Sequence, residues 1–132
     1  NLLEQTSNAN VHHIFPKKYL ERNGFKKSEY NQVANYVYTE QQINIKLADM
    51  APKEYMQKVL DELQQKEIAT QDHSQSLSEF TSLKNRTDLA HNMKINSIGD
   101  SLFEADYTTY NDFLAERRKL MAQKIKAFYH NL

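Results

Sequence analysis

The stretch NVHHIFPKKYL, residues 10–20, places two of the chain's five histidines side by side, ahead of an apolar turn and just before Lys17 and Lys18. Histidine is the side chain whose ordinary pKa, about 6.5, lets it exchange a proton near neutral pH, and it is a common metal ligand. Neighbouring side chains on a strand face opposite sides. His12 and His13 therefore either serve different ends or reach one centre because the strand stops at the Ile-Phe-Pro turn. Downstream, Asn35 opens the aromatic and β-branched run NYVYT, and Asn44 follows nine positions later within EQQINIKLA. Asn before a strand is an ordinary turn residue. Inside a segment that reads as helix, Asn is a poor fit, so Asn44 is the harder of the two to explain by structure alone.

These residues need a scaffold, and the composition bounds it. The chain has 132 residues, 39% hydrophobic and 26% charged, which suits one globular domain with one core. Cysteine is absent, which excludes disulfides and thiolate metal sites and fits a cytoplasmic protein. No apolar run approaches the roughly 18 residues of a membrane span, and the first ten residues lack the pattern of a signal peptide. The chain has no initiator Met, so it reads as a piece of something longer. Net charge is zero but unevenly spread. Lys17, Lys18, Arg22, Lys26 and Lys27 crowd one segment and Arg117, Arg118, Lys119, Lys124 and Lys126 another, while Asp100, Glu104, Asp106 and Asp112 cluster between them. The Arg117–Lys119 run reads as the exposed side of the last helix.

Only two Gly and two Pro interrupt the chain, so helix should dominate. Pro16 and Gly24 bracket a short helix, and a second one is expected from Ser28 to about Ala34. A strand at 35–39 precedes a helix over 40–48 that carries Asn44. Tyr55, Met56, Val59, Leu60 and Leu63 recur at helical spacing and place a helix over about 53–67. TQDHSQS reads as a polar loop. Leu77, Phe80 and Leu83 suggest another helix ending near Asn92, and Tyr110, Phe113, Leu114, Leu120, Met121, Ile125 and Phe128 form an apolar stripe along a final helix. The expected fold class is α+β, predominantly helical, with a small strand-bearing unit over about 10–48 packed on a helical remainder over about 52–131.

VHHIFP, ANYVYTEQQINIK and the nine-residue spacing of Asn35 and Asn44 together resemble the HNH endonucleases of the ββα-metal superfamily. With APKEYM and DFLAERRKLMAQKI, the order of segments is similar to the C-terminal nuclease domain of GmrSD-type modification-dependent restriction proteins. The specific part of the likeness is residues 11–46. The resemblance implies an HNH unit, a metal-dependent DNA endonuclease and a bacterial restriction or phage-defence protein whose N-terminal NTPase-like domain is missing from this chain. It implies His13 as general base, His12 and Asn44 as ligands of the metal, and Asn35 as the residue orienting the loop and the base. Lys17, Lys18 and Lys46 would then meet phosphates of the nucleic acid.

Many members carry a carboxylate where His12 stands. Magnesium and manganese are the expected cofactors, and imidazole also accommodates nickel and zinc. DNA is the expected partner, RNA offers the same scissile bond, no membrane is implied, and a homodimer would account for double-strand cuts. Two other readings compete: a catalytically silent nucleic-acid-binding or assembly module, and a structural zinc site built from His12, His13 and a later His. Lack of cysteine disfavours the second.

Overall fold

The computed structural model describes residues 11–37, 43–44, 49–72 and 80–130. Strand β1 (His12–His13) is followed by helices α1 (Lys17–Arg22) and α2 (Lys27–Tyr30), a 3₁₀ turn (Val33–Asn35) and strand β2 (Tyr36–Val37). The long helix α3 (Pro52–Asp72), helix α4 (Arg86–Ile95), two 3₁₀ turns (Asp100–Glu104 and Tyr107–Thr109) and helix α5 (Tyr110–His130) complete the chain. The result is predominantly helical with one two-stranded antiparallel sheet. Among the described residues no helix is long and apolar enough to cross a membrane.

The start of the chain folds as its breakers dictate. Pro16 leads into α1, and Gly24 ends it with φ +88. There the Gly24 N–H donates to Glu21 O (3.1 Å) and the Phe25 N–H to Leu20 O (3.0 Å), the paired closure that a left-handed residue permits. Helix α2 is shorter than expected, because Asn31 ends it and residues 33–35 tighten into a 3₁₀ turn. The two strands pair His12 with Val37 and His13 with Tyr36.

One core serves the whole described molecule. Tyr55, Met56, Val59 and Leu63 line the inner face of α3, and Phe15 packs its ring 5.0 Å from Tyr110 and 5.1 Å from Phe113 on α5. Two phenols tie remote elements to the strand unit. Tyr55 donates to Ile14 O (2.6 Å) and Tyr110 to Glu29 O (2.6 Å).

Burial raises both hydroxyls above the ordinary value of 10, Tyr110 to about 12 and Tyr55 further. Each phenol is neutral in the fold and ionises more readily in the unfolded chain. The stability it contributes is intact below about pH 10 and is lost as pH rises toward the folded value. Absorbance at 295 nm should therefore show at least two of the eight tyrosines withheld until the helical circular dichroism collapses, and Tyr55→Phe should remove one of them. Titration of all eight near pH 10 with the helices intact would contradict this burial.

Three expectations are corrected. Residues 43–44 are not helical: Ile43 forms an isolated antiparallel bridge with Thr81, and the Asn44 N–H donates to Phe80 O (2.6 Å). The other residues of the expected 40–48 helix lie outside the described ones. Phe80 and Leu83 belong to an extended stretch, and α4 begins only at Arg86, capped by the Asn85 side chain accepting from Asp88 N (2.9 Å). Finally, the apolar stripe of α5 is buried only through Tyr110, Phe113 and Leu114, while Ile125 and Phe128 are 58% and 63% exposed.

Candidate functional site

The hairpin presents the two histidines differently, as strand alternation requires. His12 is buried at 7% exposure and is engaged in contacts of its own. His13 is half-buried on the other face, edge-on to two aromatic rings: Tyr36, its cross-strand partner, at 5.2 Å and Tyr30 at 5.9 Å. His13 Nε2 lies 2.8 Å from Asn31 Oδ1. A carboxamide oxygen can only accept, so Nε2 carries the hydrogen and Nδ1 holds the lone pair of the neutral ring. No hydrogen bond occupies Nδ1 among the described residues.

Asn35 is completely buried and ties the hairpin to the turn after β1. Its Oδ1 accepts from Phe15 N (2.8 Å), and its Nδ2 donates to Phe15 O (3.2 Å) and Tyr30 O (3.1 Å). Its backbone carbonyl accepts from Ile14 N (2.8 Å). A single carboxamide thus fixes the exit of β1, directly after His13, against the end of α2, where Tyr30 and Asn31 face the His13 ring. Such a closed arrangement in a buried place fixes the backbone that follows His13.

Asn44 is exposed, and its described backbone contact runs to Phe80. The 80–83 stretch that holds it is itself held by α3. Glu62 accepts from Phe80 N (3.2 Å) and Thr81 N (2.9 Å), and the buried Lys66 donates to Thr81 O (2.6 Å) and Leu83 O (2.8 Å). Lys17 and Lys18 are exposed beside the hairpin, with the Lys17 ammonium 5.8 Å from the centre of the Tyr30 ring. Lys46 lies outside the described residues.

Could these residues hold a divalent ion? Among the described residues no group of three or more His, Cys, Asp or Glu side chains converges. One imidazole and one amide oxygen, as His12 and Asn44 have, would fill at most two of the six positions that magnesium takes, so the rest would have to come from water and phosphate.

Two contributors had escaped sequence reasoning. Asn31 sits in an ordinary turn context, where nothing announces a contact 18 residues away. Arg117, expected on the exposed side of the last helix, is 5% exposed. An apolar groove of about 740 Å³ between α3, α4 and α5, lined by Leu60, Leu89, Met93, Ile98 and Leu120, includes none of the hairpin residues. Comparison of the chain with protein-family models, with curated proteins and with solved structures finds no match.

Proposed function

We propose that the chain is a metal-dependent endonuclease domain of the HNH type that hydrolyses DNA phosphodiester bonds, as the nuclease part of a longer cytoplasmic restriction or defence protein. The observation that carries this reading is the buried Asn35, locked by three side-chain hydrogen bonds to the two segments that flank His13. A buried carboxamide committed wholly to backbone, beside a half-exposed imidazole with a free Nδ1, is an arrangement that prepares a proton acceptor.

In this reading His13 Nδ1 removes a proton from water as its oxygen attacks phosphorus. The P–O3′ bond breaks, leaving a 5′-phosphate and a 3′-oxygen that takes up a proton. Asn31 keeps the proton on Nε2 so that Nδ1 stays the acceptor. Lys17 and Lys18 draw in the phosphate backbone through contacts that ignore sequence and weaken with salt. His12 and Asn44 would hold the divalent ion, which when bound supplies charge neutralisation at the phosphate and the departing oxygen.

The test is cleavage of supercoiled plasmid by the purified domain, and by its full-length parent, in Mg²⁺ or Mn²⁺. Nicking that stops with EDTA is expected. Salt-dependent DNA binding that ignores EDTA, with no cleavage under either ion in either form of the protein, would replace this reading with that of a silent nucleic-acid-binding module.

A further inference from the structure

Arg117 lies in the second turn of α5, and its guanidinium reaches across to the hairpin. It donates to Ala34 O (2.9 Å) and Tyr36 O (2.5 Å), and on its other side to Asn96 O (3.1 Å from Nη2 and 3.3 Å from Nε). Ala34 and Tyr36 are the two neighbours of Asn35 in the chain. The carbonyls on either side of Asn35 thus point at Arg117, while the carbonyl of Asn35 itself points at Ile14. Nη1 alone meets the two hairpin carbonyls while Nη2 and Nε turn to Asn96 O, so holding both sides at once needs several N–H groups fixed in one plane. Arginine has that fork; lysine, with one ammonium on a flexible stem, can meet the hairpin carbonyls or Asn96 but not both.

From this juxtaposition we infer that Arg117 is the positioning residue of the hairpin: it fixes the backbone around Asn35, so that the Asn35 carboxamide meets Phe15 and β2 stays in register with His13. It acts through Asn35 and touches neither base nor substrate. The Asn96 contact extends the same fork to the end of α4, so three segments distant in sequence converge on one side chain. The effect on cleavage rests on the nuclease reading; the clamp does not.

Amide hydrogen exchange separates the two. The Ile14 and Phe15 N–H groups both donate to Asn35, and Leu63 in the middle of α3 serves as the reference for the core. In Arg117→Met, protection at Ile14 and Phe15 should fall roughly tenfold more than at Leu63, as in a local opening. Arg117→Lys should give the same pattern at smaller amplitude, and it carries the comparison if Arg117→Met does not fold. Met93→Ala, a cavity in α4 away from the hairpin, should lower protection evenly. In the cleavage assay Arg117→Lys should lower kcat roughly tenfold with KM within about twofold, while Met93→Ala leaves kcat unchanged at temperatures where it is folded.

An even loss of protection in the Arg117 variants, indistinguishable from Met93→Ala, would overturn the inference. So would full kcat in Arg117→Lys with its hairpin loosened. A wild-type protein that cleaves nothing would sink the nuclease reading alone, and the exchange pattern would still decide the role of Arg117.

Discussion

Replacing Asn35 by Ala is expected to remove about 3 to 4 kcal/mol of stability, a large part of what a domain of this size has. The side chain is fully buried and makes three hydrogen bonds, all to backbone. Truncation leaves the Phe15 N–H without its acceptor in a dry place, a loss of about 1 to 3 kcal/mol, and takes a donor from each of two carbonyls. For a domain of this length the midpoint of thermal unfolding should drop by roughly 10 °C or more. Asn35→Asp distinguishes hydrogen bonding from packing. It keeps the acceptor for Phe15 N but turns a carboxylate toward the Phe15 and Tyr30 carbonyls, so at neutral pH it should be at least as damaging as Ala. Repulsion raises the pKa of the new carboxyl in the fold, so its penalty should shrink as pH falls and the group protonates. A melting midpoint for Asn35→Ala within about 2 °C of wild type would show that the carboxamide holds little.

Much of this was legible in the residues, and the exceptions have physical causes. Pro16 and Gly24 bracket α1 because one lacks an N–H and the other adopts a positive φ, both local properties. The inner face of α3 follows the spacing of Tyr55, Met56, Val59 and Leu63. Phe80 and Leu83 misled because apolar spacing of three also fits other conformations. The segment is extended, with Thr81 and Leu83 buried and Ser82 and Lys84 exposed, a period of two that the short window hid. Burial along α5 ends early because the strand unit covers only its first turns and further along only an open groove separates it from α4, and a periodic stripe does not report how far its partners extend. Arg117 was illegible for a related reason: in a run of three basic residues, only the tertiary neighbours decide which one turns inward.

At the candidate site, the sequence indicated His12, His13, Asn35 and Asn44 but not how deeply each is buried. The short sheet sorts the histidines, burying His12 and leaving His13 half-open between Tyr30 and Tyr36. Asn44 is placed by pairing with the 80–83 stretch, a contact between segments far apart in sequence. Local patterns carry no information about such pairing.

His13→Ala should abolish cleavage while leaving the fold in place. A general base contributes about 10²- to 10⁴-fold to rate, whereas the half-buried ring gives up two edge-on contacts worth about 0.5 to 1.5 kcal/mol each at most. The loss should lie in kcat, with DNA binding at low salt unchanged because the lysines beside the hairpin remain. Asn31→Ala, which frees Nε2 and the choice of tautomer, should fall between wild type and His13→Ala.

The most direct measurement is the rate of supercoiled-plasmid nicking by wild type and His13→Ala side by side in Mn²⁺, with thermal unfolding and DNA affinity recorded for both. A fall in rate of at least about 100-fold is expected for a variant that melts and binds DNA like wild type. Equal nicking by the two proteins would contradict it, and the imidazole between Tyr30 and Tyr36 would then have no part in breaking the bond.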